Sequence, residues 1–453
     1  MKTGEIFLSV AAILLLISFL FTDLACARLQ EPFPKKALPT ESGYLKIKEK
    51  PGALMFYIYH EAIHPAGQIS DTPIVLWLQG GPGCSGVVGN FYELGPWRVG
   101  EDLRLRKNAG SWNRIFGLLI VDNPIGSGFS VAPSEQDIPT NEEEVAKDLF
   151  SALQAFYSLN PQFRSRPFYV TGESYAGKYV PALSYYMVSQ LDKAGSDRAL
   201  RIDGLAIVSG LTHPEVQVQT HAKVAYAMGL IDFQQKIHLE TLQLKAASLA
   251  RQQKWKDARV ARTEVLFSLQ NVTGVLTLDI RRTMPYYTDE NGTDYLTVFV
   301  NSPGVKKALK ADENRTWEVC NSAVYTKMQD DTMKSTKWMV ERLLPRLPVL
   351  LFQGQFDIQD GVVSTEEWMR TLHWNGLSDF WASERRVWTL SDEVGGYVRS
   401  HLNLSHVVVA GAGHLVPFDQ SLRSQVLIES WVNKSLVQSS LQTSRFKVSH
   451  SID

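Results

Sequence analysis

Six short segments of the chain are apolar at nearly every position instead of at every second one. They are residues 73–79 (PIVLWLQ), 116–122 (FGLLIVD), 167–171 (PFYVT), 202–209, 348–352 and 406–410 (HVVVA), and turn residues follow them. A strand that is apolar on both sides belongs between two covering layers, which is the setting of a parallel sheet. Residues 44–48 and 53–60 are β-rich and flank Pro51-Gly52, so they predict a hairpin. Helical patterns separate several of the strands. Thr140-Asn141-Glu142-Glu143 reads as a capping box, and Val145, Leu149, Leu153 and Phe156 then recur near helical spacing. Strands alternating with helices argue for an α/β fold.

The rhythm breaks over residues 213–300. Residues 216–269 are rich in Gln, Lys, Ala and Arg with few turn residues, which predicts helices without intervening strands. This stretch reads as a helical cap inserted over the sheet. The expected organisation is a leader at 1–27, core segments at 28–212 and 301–433 around a cap at 213–300, and a polar tail at 434–453.

Composition narrows the class. The 453 residues are 44% hydrophobic and 21% charged, which excludes collagen, coiled coil and bulk disorder. Lys and Arg number 46 against 47 Asp and Glu, a net charge of −1, so no basic excess marks a nucleic-acid or membrane-surface binder. The leader is a different material. Lys2 precedes an apolar run from Ile6 to Phe21, and Ala25-Cys26-Ala27 follows, the arrangement of a cleaved secretory signal. Its removal takes Lys2, Glu5 and Asp23 and leaves no net charge. Cys26 leaves with it, so Cys84 and Cys320 remain in an oxidising compartment, where one disulfide is expected. Sequons at Asn271, Asn291, Asn314, Asn403 and Asn433 suggest a glycoprotein. No CxxC or HExxH supports a metal site, and no cofactor is expected.

Two glycine patterns mislead. Gly81-Pro82-Gly83-Cys84-Ser85-Gly86 fits a dinucleotide fingerprint, but no acidic residue closes a second strand about 20 positions on. Gly172 to Tyr179 nearly fits a phosphate loop, yet Tyr179 stands where Ser or Thr must ligate magnesium, and Glu173 would repel phosphate. A third reading suits the same segment. Gly172-Glu173-Ser174-Tyr175-Ala176 follows a strand and precedes a helix, with Ala in place of the second Gly of a GxSxG turn. Such a turn lifts a serine hydroxyl clear of the sheet and needs small neighbours. A serine nucleophile needs a base, and the base an orienting carboxylate, in the order Ser, acid, His. Residues 348–352 lead to Asp357, with Asp360 its rival. Residues 406–410 lead to His414, whereas His401 and His406 precede that strand.

The segments WLQGGPGCSG (77–86), ELGPWRV (93–99), VDNPIGSGFS (121–130), TGESYAGKYVP (171–181) and GAGHLVP (411–417) resemble the secreted serine carboxypeptidases, above all plant serine carboxypeptidase-like proteins. The resemblance spans about residues 40–432. It implies an α/β-hydrolase fold: a mostly parallel central sheet with helices on both faces and a helical cap insertion. It implies Ser174 as nucleophile, Asp357 as orienting acid, His414 as base, and the Gly81 and Tyr175 N–H groups as the oxyanion hole. It implies that Gln79, Gly80, Glu93 and Glu173 hold a terminal carboxylate, and that Cys84 pairs with Cys320. Gln79 replaces the usual Asn and is one methylene longer. The expected substrate is a peptide C-terminus, met in the secretory pathway, outside the cell or in a vacuole or lysosome. Two carboxyls can receive a carboxylate only when one or both are protonated, and close carboxyls raise each other's pKa. The alternatives are an acyltransferase using sugar-ester donors, whose relatives tend to carry Asp before the serine, and a non-catalytic stabilising partner.

Overall fold

A computed structural model describes residues 33–194 and 200–436; the leader and residues 437–453 of the tail lie outside the described residues. Ten strands form one sheet in the order β1-β2-β6-β3-β7-β8-β9-β12-β11-β10. Its centre is parallel: β6 (Gly117–Val121), β3 (Ile74–Leu78), β7 (Phe168–Glu173), β8 (Gly204–Val208), β9 (Val349–Gly354) and β12 (Leu404–Val409). These are the uniformly apolar runs of the sequence. Alternate residues of each strand face opposite cores, so Leu76 and Leu78 join one cluster while Val75 and Trp77 join the other. Helices α1 (Glu142–Leu159) and α2 (Ala176–Ala194) cover the first face, and the C-terminal α5 (Ser421–Val432) packs on the second. A short antiparallel pair, β4 (Trp97–Val99) and β5 (Leu105–Lys107), stands outside the sheet.

Both edges are antiparallel. The hairpin β1 (Glu41–Lys46) and β2 (Leu54–His60) pairs with β6, as its sequence pattern suggests. At the other edge the sequence reading missed β10 (Arg386–Leu390) and β11 (Glu393–His401). These strands carry charged residues and Gly395-Gly396, and most of their residues are partly buried or exposed, so they lack an apolar run. The cap of α1 also lies one residue later than the sequence suggests. Asn141, in extended conformation, accepts from the Glu144 N–H, and the Glu144 carboxylate accepts from the Thr140 N–H. Residues 213–300 are largely helical, with α3 (Phe233–Arg251) and α4 (Trp255–Thr273) packed as an antiparallel pair. No described helix is long and apolar enough to cross a membrane.

Candidate active site

The turn between β7 and α2 is built for an exposed serine. Ser174 adopts φ 62°, a conformation rare for a residue with a side chain, at a position where strain commonly serves function. Small neighbours make the turn possible. A Cβ on Gly172 would sit 2.7 Å from the Ala176 Cβ and 2.6 Å from the Leu78 carbonyl oxygen. Ala176 therefore fills the place of the second Gly without a clash. The Ser174 carbonyl accepts from the N–H groups of Gly177 and Leu211, each at 2.9 Å, and locks the turn.

Asp357 and His414 follow β9 and β12, neighbouring parallel strands, so their loops emerge side by side. His414 Nδ1 lies 2.7 Å from Asp357 Oδ2. The other Asp357 oxygen accepts from the N–H groups of Gln359 (2.8 Å) and Asp360 (3.1 Å). His414 Nε2 is buried and has no hydrogen-bond partner. Burial pushes His414 down, but the charge of Asp357, with Asp360 and Glu93, more than offsets it and leaves its pKa above the usual value. Ser174 and His414 line one cleft of about 250 Å³ with Gln79, Gly80, Gly81, Cys84 and Glu173.

The rivals stand elsewhere. Asp360 lies 3.5 Å from Arg262 and within 3.4 Å of Gln217. His406 is inside β12, paired with Gln353 at 2.8 Å, and burial lowers its pKa to about 3. His401 ends β11, 3.9 Å from Asp379.

Gly80 and Gly81 bring backbone against the serine turn. A Cβ on Gly80 would meet the Glu173 carbonyl and the Tyr175 nitrogen at 2.6 Å. Gly81 adopts φ 110°, open to glycine. Among the described residues, neither the Gly81 nor the Tyr175 N–H has an acceptor. The disulfide Cys84–Cys320 forms part of the cleft wall.

Glu93 ends a single π-helical turn, Gly89–Glu93, and Glu173 ends β7; both are buried. Gln79 bridges them. Its amide nitrogen donates to Glu93 Oε1 and to Glu173 Oε1, each at 3.1 Å, while the Trp77 indole donates to its oxygen at 2.9 Å. The extra methylene thus lets one amide reach both carboxyls. The remaining oxygens, Glu93 Oε2 and Glu173 Oε2, have no donor. Burial, and for Glu173 the charge of Glu93, raises both pKa values above the usual carboxylate range. A proton shared by the pair satisfies both orphan oxygens.

Several supporting residues carried no assigned role in the sequence. Arg98 donates to the Glu93 carbonyl and to the Pro417 and Phe418 carbonyls, tying the carboxyl turn to the His414 loop. Its place in ELGPWRV was a motif signal without a function. Residues 213–300 contribute Leu278 and Tyr287 to the cleft. Their backbone also laces the two loops together: the Thr277 carbonyl accepts from Ile358 and Gln359, and the Leu278 carbonyl from His414.

Comparison with known proteins agrees in one direction. The family model for serine carboxypeptidases matches residues 31–434. Serine carboxypeptidase-like 50 of Arabidopsis thaliana is 49% identical, with 92% of this chain and 93% of that protein covered. A venom serine carboxypeptidase of Apis mellifera is 34% identical over 85% of this chain and 82% of its own. The crystal structure of KEX1(DELTA)P, a prohormone-processing carboxypeptidase from Saccharomyces cerevisiae, superposes with a TM-score of 0.79. It covers 90% of this chain and 94% of that one at 24% identity, a likeness of fold.

Proposed function

Because the chain belongs to the serine carboxypeptidase family, we propose that it is a secreted or vacuolar peptidase that releases C-terminal residues through an acyl-enzyme on Ser174. One observation carries this reading: Glu173, on the wall of the cleft that holds Ser174 and His414, is bridged by Gln79 to a second buried carboxyl, Glu93. A hydrolase for uncharged esters has no use for such a pair. Protonated, it can donate to a terminal carboxylate and place the last peptide bond over Ser174.

The steps are those of a Ser-His-Asp hydrolase taken by this chain's residues. The Ser174 oxygen attacks the carbonyl carbon while His414 Nε2 takes its proton, and Asp357 stabilises the imidazolium. The Gly81 and Tyr175 N–H groups receive the developing oxyanion. The C–N bond breaks, His414 returns its proton to the leaving amine, and the C-terminal residue departs. Water, deprotonated by His414, then cleaves the ester and restores Ser174. No cofactor enters.

The leader 1–27, core segments 28–212 and 301–433, and cap 213–300 complete the proposal as a secretory-pathway glycoprotein acting on peptide C-termini, without nucleic-acid or membrane partners. Asn271, Asn291, Asn314 and Asn433 are exposed and suited to glycosylation. Asn403 is less so, because its amide nitrogen donates to the Leu344 carbonyl at 2.9 Å. A peptide-library digest tests the activity. Stepwise loss of single C-terminal residues is expected, absent in Ser174→Ala. Transfer of an acyl group from a sugar ester without peptide cleavage would overturn it.

A further inference from the structure

Beside the Ser174 turn lies a group of buried ionisable side chains that the steps above do not use. Glu142 opens α1; Tyr175, Lys178 and Tyr179 come from the turn and first coils of α2; Asp331 projects from the segment before residue 337. All five are more than nine-tenths buried. Lys178 Nζ lies 2.7 Å from Asp331 Oδ2 and donates to the carbonyls of Asp331 and, at 2.9 Å, Lys334. The Tyr175 hydroxyl donates to the same Asp331 oxygen at 3.2 Å. Lys334 Nζ stands 3.4 Å from Asp331 Oδ1. Asp331 is thus a neutralised carboxylate holding the Tyr175 side chain.

Glu142 has no such support. Both of its carboxyl oxygens are buried and neither has a hydrogen-bond partner. Tyr175 has one hydroxyl proton to serve both carboxyls, and it points to Asp331. An ionised Glu142 would be a second negative charge beside Asp331 with no donor to hold it. A proton on Glu142 resolves the conflict, because a carboxylic acid is itself a donor and Asp331 an acceptor.

We propose that Glu142 is a neutral carboxylic acid sharing its proton with Asp331, and that this pair is a positioning device: it seats the Tyr175 side chain and so aims the Tyr175 N–H. The proposal rests on the reading of Tyr175 as an oxyanion donor. The groups that face Glu142 agree with it. Burial, then the charge of Asp331, raises the Glu142 pKa well above the usual carboxylate range against the pull of Lys178 and Tyr175. Tyr179, next along α2, is held neutral by burial. As pH climbs through that raised value, Glu142 ionises beside Asp331 and the seat of Tyr175 is lost. The site therefore has an alkaline limit of its own, independent of any carboxylate on the substrate.

The test compares wild type, Glu142→Gln and Glu142→Leu on an ester without a terminal carboxylate, from about pH 5 to about pH 9, across the usual carboxylate and imidazole range. Gln can donate to Asp331 as the acid does; Leu cannot. Glu142→Leu is expected to lower kcat at least about tenfold with KM changed less than about threefold, the split of a lost transition-state interaction. Glu142→Gln is expected to rescue kcat and to remove the alkaline fall that wild type shows. In the wild-type minus Glu142→Gln infrared difference spectrum a carboxylic-acid band is expected at neutral pH, where an ordinary carboxyl is ionised. That band decides the protonation state even where Glu142→Leu does not fold. A band unchanged by Glu142→Gln, or a Gln variant that loses fold or kcat as Leu does, overturns the proposal. Fluorophosphonate labelling of wild-type Ser174 separates the two readings. A wild type that neither labels nor cleaves ester sinks the hydrolase reading, while the infrared band still reports on Glu142.

Discussion

Gly80 has no room for a side chain, because any Cβ would press on the Tyr175 nitrogen and the Glu173 carbonyl. Gly80→Ala should therefore push the first glycine loop off the serine turn. We expect kcat to fall roughly 100- to 1000-fold, the range for a lost oxyanion donor, with a stability cost of about 1–3 kcal/mol for overpacking; steady-state kinetics and thermal melting measure the two. Ser174→Ala should lose roughly four orders of magnitude or more in kcat yet fold normally; retention of a tenth of the activity contradicts the assignment. The loops that carry Ser174, Asp357 and His414 were legible because each follows an apolar strand and bears glycine, so chain order and local chemistry pointed the same way. Glu142 and Asp331 were not. Glu142 sits in Asn141-Glu142-Glu143-Glu144, which reads as the solvated first turn of a helix, and only the tertiary fold buries it. Lys178, dismissed with the phosphate-loop pattern, is a fully buried partner of Asp331.

At the scale of elements, the site depends on segments that do not touch the reacting atoms. The disulfide Cys84–Cys320 joins the first glycine loop to a segment far along the chain, and its backbones also bridge there. Closing so long a loop stabilises by roughly 2–5 kcal/mol. Reduction should lower kcat before circular dichroism records any loss of fold; simultaneous loss of both would contradict a local role. The central strands were readable because burial on both faces demands apolar residues throughout. The β10–β11 hairpin was not, since an exposed edge permits charge and glycine. The capping shift has a similar cause: Thr140 and Asn141 are both good caps, and the backbone, not the sequence, chooses between them. The lacing of the Asp357 and His414 loops by residues 277 and 278 runs through carbonyl groups, which no side-chain pattern reports.

Across the whole molecule, buried ionisable groups set the response to pH. Glu93, Asp122 (about 6), Glu142, Glu173 and Asp360 are raised by burial. Their contribution is whole below the unfolded value of about 4 and is lost as pH rises through the native values. His60, His213, His221 (each about 4) and His406 (about 3) are lowered by burial. Theirs is whole above about 6.5 and is lost as pH falls. The two slopes oppose each other between about 4 and 6.5, so the melting temperature should be nearly flat there and fall above about 7, where the carboxyls and the raised His414 act alone. A melting temperature that climbs steadily from acid to pH ~8 would contradict this balance. The central claim is that the Glu93–Glu173 pair must carry a proton to receive a terminal carboxylate. The direct measurement is kcat/KM against pH for one peptide as free acid and as C-terminal amide. The free acid should give a bell, with an acid limb from His414 and an alkaline limb from the pair, and the amide should keep its activity where the free acid first loses it, up to the separate limit set by Glu142. Identical profiles for the two substrates would contradict the account.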